Sequence, residues 1–500
     1  MSTIARYIFI SSAIFFASFG IIVSNASAQT IEVNLGIEAG APQTVVIDGG
    51  FLQQNAIESN RNWVFLNSFS GIENLAARIS DLSLNDKSGL KISYKKFASG
   101  EYLADDAASF WSYRIAANLP LSPQNTNAPA HVSWVDGERG ILMLDDLLPQ
   151  FSGKNNQKIS ARVKFDLPQD WAVISGERRT AKNVFAVENV EKAIFFIGKN
   201  WREKQITVGR DNLNLAISGD FQFSDEEAGK VAAEIFAKYR DLFGEAPSQK
   251  TQISLIRFPR QVKFGRWSAE TRGANLTVLS ADMPFKAQSL QRLHEQLRHE
   301  IFHLWMPNNL ALTGNYDWFY EGFAVYQALK TGVNLNRIRF EDFLDTLAQA
   351  YDLDRMQTQK ISLVKVSKTN KSGANNHVYA RGMLAAFLCD VALLRASRGK
   401  HSVVDVLREI YRKHRFPNTM QDGNQAVLEV LRARTELKSI VEKYVEGDEK
   451  INWTADLNDA GIEQTIENSF VKLKINAKLN GRQKDLLNEL GYNNWRKILR

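Results

Sequence analysis

The chain has 500 residues, enough for roughly two to four domains of ordinary size. Hydrophobic residues make up 44% and charged residues 23%, values that exclude a collagen-like, coiled-coil or wholly disordered chain. The single cysteine, Cys389, excludes a disulfide scaffold or a metal site of several thiolates, and the net charge of +7 comes without the basic arm or lysine block that would indicate nucleic acid.

The N-terminus has the layout of a secretory signal. Arg6 precedes an apolar run over residues 7–23, and the small residues Ala26-Ser27-Ala28 follow it. This pattern predicts a signal peptide over 1–28 that is cut after Ala28. An uncleaved anchor is the alternative, although the run is marginal for crossing a bilayer. No later segment is predicted to span, so we expect a periplasmic or secreted protein without a stable membrane span after signal cleavage.

The residue pattern over 29–220 predicts a β-rich N-terminal domain. Segments such as 44–47, 89–94 and 158–165 carry β-forming residues, several with alternating apolar and polar side chains, and turn residues separate them. An all-β, sandwich-like domain is the simplest architecture for such strands.

A second domain is predicted over 221–450. Ser224 and Glu227 have the spacing of a capping box, which indicates that a helix begins there. Strands near 253–256 and 276–279 precede a mainly helical region, and the polar stretch 358–376 predicts a loop. Residues 451–500 predict a short α+β tail. The predicted helices of the second domain cover 287–305, 317–330, 340–351, 379–398 and 403–414.

One predicted helix contains His299-Glu300-Ile301-Phe302-His303. Histidines four residues apart lie on one helix face, so both imidazoles can reach one zinc ion, with Glu300 beside them to act on a water molecule. Two buried histidines with a solvated glutamate are the alternative for the motif in isolation. His294 lies on another face and is expected to be an exposed helical residue rather than a ligand.

The next helix begins with Trp318-Phe319-Tyr320-Glu321-Gly322-Phe323 and adds a carboxylate. Two histidines and a glutamate leave zinc one open position, which is the composition of a catalytic site. These residues resemble the gluzincin metallopeptidases, in which a Trp-x-x-Glu-Gly-Phe helix provides the third ligand. The glycyl aminopeptidase branch and the related alanyl aminopeptidases are the most similar, although the interval before Glu321 is one residue shorter than in the alanyl type. The resemblance implies a thermolysin-like catalytic domain in which His299, His303 and Glu321 bind one zinc ion per chain.

The segment Tyr379-Ala380-Arg381-Gly382 is similar to the Tyr-x-Lys-Gly element of the same family, with arginine in place of lysine. The resemblance implies that the Tyr379 hydroxyl donates a hydrogen bond to the oxyanion of the tetrahedral intermediate. A tyrosine that only packs at a helix start is the alternative. His377 is expected to be a solvated loop residue, with lining of the cleft as the alternative.

Family aminopeptidases also carry a glycine-rich strand segment with a glutamate that binds the free amino group of the substrate. The corresponding stretch here contains Gly273, Ala274 and Asn275, which the resemblance makes the substrate-binding residues. Asn275 stands where the glutamate is expected, and Glu270 is an acid that could substitute. Specificity for a free N-terminus is therefore open.

The sequence thus predicts an exported zinc metallopeptidase that acts on peptides or proteins, with aminopeptidase as the expected mode of attack. Glu300 takes a proton from the attacking water and passes it to the leaving amine, and Tyr379 stabilises the oxyanion. The alternatives are an endopeptidase, a catalytically weak or inactive peptide-binding protein on a peptidase scaffold, and a non-peptidic hydrolase with the same chemistry.

Overall fold

A computed structural model describes residues 30–493, apart from 39, 41–42, 54–56, 58–59, 121–127, 155–157, 248, 358–360 and 370–375. The predicted signal peptide, 1–28, lies outside the described residues.

The N-terminal domain is built from strands, as predicted. Strand β1 shows the alternation expected of a half-buried strand, because Ile31, Val33 and Leu35 face the core and the residues between them are less buried. The elements are β1 (Ile31–Glu38), β2 (Thr44–Phe51), β3 (Asn62–Val64), β4 (Ser68–Phe69), β5 (Ile72–Glu73), β6 (Ile79–Asn85), β7 (Lys91–Ile92), β8 (Tyr94–Ala98), β9 (Glu101–Ala104), β10 (Phe110–Ala116), β11 (Trp134–Val135), β12 (Arg139–Met143), α1 (Leu144–Leu147), β13 (Ala161–Asp166), β14 (Ala172–Ile174), β15 (Arg178–Ala181), β16 (Val184–Val187) and β17 (Ile194–Gly198).

Two sheets of this domain form successive layers. The larger has eight strands in the order β15-β16-β13-β1-β2-β10-β6-β7, and the smaller has four in the order β11-β12-β17-β14. Strand β17 is buried along its whole length: Phe195 packs in the core shared with the larger sheet, whereas Phe196 packs with Ile256 and Leu279 of the second domain. The smaller sheet is therefore covered on both faces, which explains why its strands lack polar alternation.

The second domain combines a sheet with helices. The capping box is confirmed, because the Ser224 side chain accepts a hydrogen bond from the Glu227 amide at the start of α2 and the Glu227 side chain accepts one in return. The elements are β18 (Arg202–Val208), β19 (Asp211–Ser218), α2 (Asp225–Phe243), β20 (Thr251–Arg257), β21 (Trp267–Arg272), β22 (Asn275–Ser280), α3 (Lys286–Phe302), β23 (Leu312–Thr313), α4 (Asp317–Tyr320), α5 (Gly322–Asn334), α6 (Phe340–Arg355), α7 (Leu363–Thr369), α8 (Asn376–Ser397), α9 (Val403–His414), β24 (Gln421–Asp422), α10 (Gly423–Arg432), α11 (Lys438–Ile440), a π-helical turn (Val441–Glu446), α12 (Thr454–Asp459), β25 (Ile462–Glu467), β26 (Phe470–Ile475) and α13 (Gly481–Leu490).

The sheet of this domain has five strands in the order β18-β19-β20-β22-β21. The hairpin β18–β19 pairs with β20 through β19, so it belongs to this sheet although the sequence boundary at 221 assigned it to the N-terminal domain. Strand β21 pairs antiparallel with β22 and ends the sheet.

Two segments differ from the sequence predictions. The polar stretch 358–376, predicted as a loop, contains helix α7. The Ser367 side chain in α7 bonds to Asp317 and accepts a hydrogen bond from the Trp318 amide at 3.2 Å, so this helix supports the start of α4.

Helix α8 is long and apolar enough over His377–Ser397 to cross a membrane, contrary to the expectation that no later segment is. Within the described chain, 89% of its apolar window is buried, which is typical of the central helix of a protein core.

The C-terminal segment packs onto the second domain. Trp453 is fully buried and stacks on Tyr351 of α6 with 4.3 Å between ring centroids. Leu457, Leu473 and Leu487 join the same hydrophobic core as the helices. The α+β tail is thus an extension of this domain.

Candidate metal centre and active site

Helix α3 presents His299 and His303 on one face, because four residues make about one helical turn. Their Nε2 atoms lie 3.1 Å apart. The Nδ1 atom of His303 lies 2.8 Å from the Met306 carbonyl oxygen, to which it donates a hydrogen bond. In the neutral ring that binds a metal, this bond leaves the lone pair of His303 on Nε2, directed at His299 and Glu321.

Glu321, between α4 and α5, brings a carboxylate to the two imidazoles. Its Oε2 atom lies 3.2 Å from His299 Nε2 and 3.4 Å from His303 Nε2, and it is buried without a hydrogen bond. Ligand atoms of a tetrahedral zinc ion with bonds of 2.0–2.1 Å stand about 3.3 Å apart. The three atoms are therefore spaced as zinc ligands, and the unsatisfied oxygen fits a bound cation.

The electrostatics of these side chains also favour a cation. Burial alone would raise the pKa of Glu321, but His303 and His299 lower it, so the carboxylate is ionised. Burial would likewise lower the pKa of His303, but Glu321 and Glu300 raise it to about 9. The carboxylates of Glu321 and Glu300 therefore attract positive charge to the point where the side chains of His299, His303 and Glu321 meet.

Glu300 lies beside the metal centre and is buried. Its Oε2 atom accepts a hydrogen bond of 2.7 Å from the hydroxyl of Thr271 in β21. Burial raises the pKa of Glu300, and the neighbouring histidines and Thr271 offset this only in part. Thr271 was not singled out from the sequence, because 29 residues separate it from Glu300 and no local pattern joins them.

Tyr379 in the first turn of α8 lines the same cavity as the metal centre. Burial, the carboxylate of Glu321 and, to a smaller extent, that of Glu300 raise the pKa of Tyr379 well above its ordinary value. The hydroxyl therefore stays protonated at neutral pH and can donate a hydrogen bond.

The cavity has a volume of about 950 Å³ and lies between the two domains. Strand β21 forms one wall with residues 267–272, and the N-terminal domain contributes the side chains of Phe69, His131, Asp145 and Lys192. None of the candidate site residues named from the sequence lies in the N-terminal domain, so this contribution is new.

Glu270 is the carboxylate that β21 places in the cavity. Its Oε2 bonds to Nδ1 of His131, its Oε1 accepts a 3.1 Å hydrogen bond from Nε of Arg272, and Arg272 also pairs with Asp145. Burial would raise the pKa of Glu270, but Arg272 and His131 lower it, so this carboxylate is ionised.

Gly273, Ala274 and Asn275 do not line the cavity. Gly273 forms the turn after β21 with a φ of +56°, and Asn275 is buried between the domains, where its Oδ1 accepts a 2.8 Å hydrogen bond from the Gly176 amide. The structure therefore does not support the expected role of these three residues in substrate binding. The acid on the cavity wall is Glu270, which precedes the turn.

His294 and His377, the two further histidines considered in the sequence, occupy buried or bound positions. His294 is 3% exposed, contrary to the expectation of an exposed residue, and its Nε2 lies 3.3 Å from Glu234. His377 is in the first turn of α8 with Nε2 3.1 Å from Asp354, so it is not a solvated loop residue.

Known structures share this fold. An aminopeptidase N family protein from Idiomarina loihiensis has a TM-score of 0.72 at 16% identity, over 87% of this chain and 79% of that chain. An M1 zinc metallopeptidase from Deinococcus radiodurans has a TM-score of 0.52 at 14% identity, over 85% and 94%. A variant of an M1 zinc metallopeptidase from that organism, bound to a Tyr-Ser-Ala substrate, has a TM-score of 0.53 at 14% identity, over 85% and 95%.

These similarities show that the chain has the two-domain fold of M1 zinc peptidases, in agreement with the gluzincin resemblance. No family model matches the sequence, and no curated protein does. The glycyl aminopeptidase branch stays a prediction.

Proposed function

We propose that this chain is an exported zinc peptidase that removes amino acids from the free N-termini of peptides. The observation that carries the proposal is the convergence of His299, His303 and Glu321 in one cavity with Glu300 and Tyr379. A structural neighbour with this fold is an M1 zinc metallopeptidase, which supports the same chemistry.

His299, His303 and Glu321 would hold the metal. Bound there, zinc would polarise the scissile carbonyl and lower the pKa of a water molecule. The raised pKa of Glu300 suits a carboxylate that accepts the proton of the attacking water and then gives it to the leaving amine. Tyr379 keeps its proton and donates a hydrogen bond to the developing oxyanion.

The aminopeptidase assignment rests on Glu270. Glu270 is ionised and lies on the cavity wall beside Arg272, Asp145 and His131. A substrate ammonium group would pair with this carboxylate. The D. radiodurans variant of this fold is bound to a Tyr-Ser-Ala substrate, which supports a short peptide as the substrate here.

An endopeptidase is the second candidate, and a specific observation favours it. Both oxygens of Glu270 already have partners, His131 and Arg272, so the substrate ammonium group must share them. If the ammonium group cannot share these oxygens, Glu270 would not select for a free N-terminus, and the enzyme would also bind internal segments of a peptide.

Export is also part of the proposal, on the pattern of Arg6, the apolar run and Ala26-Ser27-Ala28. Expression of the full chain followed by N-terminal sequencing of the protein outside the cytoplasm tests it. We expect the processed protein to begin at Gln29, and a full-length protein held in a membrane fraction would contradict export.

A peptide-library digest read by mass spectrometry tests the activity. Residues 29–500, loaded with zinc, are incubated with peptides that carry free or acetylated N-termini. We expect one zinc ion per chain and stepwise loss of N-terminal residues from the free peptides alone. Internal cleavage of both sets would identify an endopeptidase, and bound zinc without any cleavage would favour a peptide-binding protein.

A further inference from the structure

We propose that Asp354, at the end of α6, is a positioning residue for Tyr379 and acts through His377 and Arg381. This inference rests on the proposed role of Tyr379 as the oxyanion donor.

Asp354 bonds to α8 on both sides of Tyr379 in sequence. Its Oδ1 lies 3.1 Å from His377 Nε2 and 3.0 Å from Arg381 Nη1, and its Oδ2 lies 3.2 Å from the same Nη1. Asp354 is 3% exposed and Arg381 is 2% exposed, so solvent does not compete for these bonds. Buried, charge-assisted hydrogen bonds of this kind are stronger than exposed ones.

The spacing places the bonded residues opposite the tyrosine. His377 and Arg381 are four residues apart, which puts them on one face of α8, and Tyr379 is two residues from each, which turns its side chain about 200° away. Asp354 therefore holds the rear face of the helix while Tyr379 points into the cavity.

Tyr379 needs such support because it lies in the first turn of α8, which begins at Asn376. The first amides of a helix lack an acceptor within the helix, so the first turn frays unless tertiary contacts hold it. His377 and Arg381 supply those contacts at the two ends of this short stretch.

Arg381 extends the connection to the C-terminal part of the domain. Its Nε donates to the Tyr444 carbonyl oxygen at 3.1 Å and its Nη2 donates to the Glu449 carbonyl oxygen at 2.7 Å. A lysine, which the similar family element has, presents one point charge and could not reach Asp354 and both carbonyls with a planar group. The arginine thus joins α6, α8, the π-helical turn and the segment after it at one buried point.

The test is a double-mutant cycle of Asp354→Asn and Tyr379→Phe on the zinc-loaded protein with a peptide that the wild type cleaves. A misplaced catalytic group can cost about 100-fold in rate. We expect Asp354→Asn to lower kcat by a factor of this order with KM nearly unchanged, and to lower it no further when Tyr379 is already phenylalanine. Losses that multiply in the double variant would overturn the proposal.

Asp352→Asn is the matched control. Asp352 is also buried on α6, but it accepts hydrogen bonds from the Val471 amide at 3.0 Å and from Arg355, and none from α8. We expect it to reduce stability and to leave kcat near the wild-type value. An equal loss of kcat in the two aspartate variants would show a general effect of stability and overturn the proposal. If Asp354→Asn does not fold, His377→Ala removes the bond between His377 and Asp354 and keeps the one to Arg381. It should lower kcat in the same direction by less, and an unchanged kcat would then overturn the proposal.

Hydrogen exchange of the zinc-free protein separates this inference from the proposed function. We expect Asp354→Asn, and not Asp352→Asn, to speed amide exchange over residues 376–382. Unchanged exchange in that stretch would overturn the positioning role even in an active enzyme. The assigned role of Tyr379 has its own tests, which do not depend on the exchange result. It would be overturned if the wild type cleaves no peptide, or if Tyr379→Phe keeps full activity.

Discussion

Gly322 and Gly382 meet backbone to backbone where α5 crosses α8. A Cβ atom on Gly322 would lie 2.5 Å from the Cα atom of Gly382, and a Cβ atom on Gly382 would lie 2.4 Å from the Trp318 carbonyl oxygen. Both glycines are close in sequence to a candidate site residue. Gly322 directly follows Glu321, and Gly382 lies three residues after Tyr379. The crossing therefore sets the position of Glu321, the proposed third metal ligand, relative to Tyr379, the proposed oxyanion donor.

Gly382→Ala should separate these two helices. The added methyl group meets main-chain atoms that cannot rotate away, and overpacking of this kind costs about 1–3 kcal/mol. We expect a lower free energy of unfolding in urea and zinc binding weakened about tenfold, since Glu321 moves with α5. Gly481→Ala is the control, because a Cβ atom there meets nothing within 4 Å. Wild-type stability and zinc affinity in Gly382→Ala would contradict this account.

Thr271→Val should impair catalysis without loss of zinc. The hydroxyl of Thr271 donates to Glu300 Oε2, and loss of one such bond is worth about 1.4 kcal/mol, or roughly tenfold in kcat. Thr277→Val in the neighbouring strand β22 is the matched control, since its buried Oγ1 has no hydrogen bond to lose. Steady-state kinetics of the two variants decide the point, and equal kcat values would remove Thr271 from the mechanism.

Glu270→Gln tests recognition of the substrate amino group. A hydrogen bond to a charged group is worth about 1.5–3 kcal/mol, so kcat/KM for peptides with a free N-terminus should fall by about 10- to 150-fold. Acetylated peptides, which carry no ammonium group, serve as the internal control and should be poor substrates of both proteins. If the variant cleaves free peptides as well as the wild type does, Glu270 does not bind the amino group.

The contact between the domains should weaken as pH rises. Burial, helped by Glu188, raises the pKa of Glu177 from 4.5 to about 7, next to Asn275. The folded state then binds the proton more tightly than the unfolded state, so the stabilising contribution is complete below about 4.5 and is lost as pH rises through about 7.

Glu177→Gln should remove this pH dependence, because the amide keeps a hydrogen-bonding group and carries no proton to lose. Urea unfolding at pH 4.5 and pH 8 measures the effect. At pH 8 only, we expect the free energy of unfolding of the variant to exceed that of the wild type by an amount on the order of 1–3 kcal/mol. The same difference between the proteins at both pH values would contradict the prediction.

The proximity of His299 and His303 could be predicted from the sequence because helix geometry alone places them on one face. Tyr379 was singled out through the family resemblance, and it lines the same cavity as the two histidines. Glu270 was named only as a possible substitute for the expected glutamate, because the glycine-rich segment was placed at Gly273, which forms the turn that ends the strand. His131 could not be found at all, since 139 residues separate it from Glu270 and only the folded chain joins them.

In the fold, too, features with a local sequence signal could be predicted, whereas features that depend on distant contacts could not. The start of α2 followed from its capping box, a local signal, whereas the hairpin β18–β19 was assigned to the wrong domain because its alternation is the same in either sheet. Helix α7 was missed because its support comes from Ser367, which contacts Asp317 in a different helix.

The most direct test of the central claim is Glu300→Gln. The amide keeps the size of the side chain and does not touch the three ligand atoms, but it cannot accept the proton of the attacking water. Zinc content by elemental analysis and peptide cleavage by mass spectrometry are measured on the same samples of wild type and variant. The account predicts equal zinc in both proteins and cleavage at least about 100-fold slower in the variant. Cleavage by Glu300→Gln at the wild-type rate would contradict it.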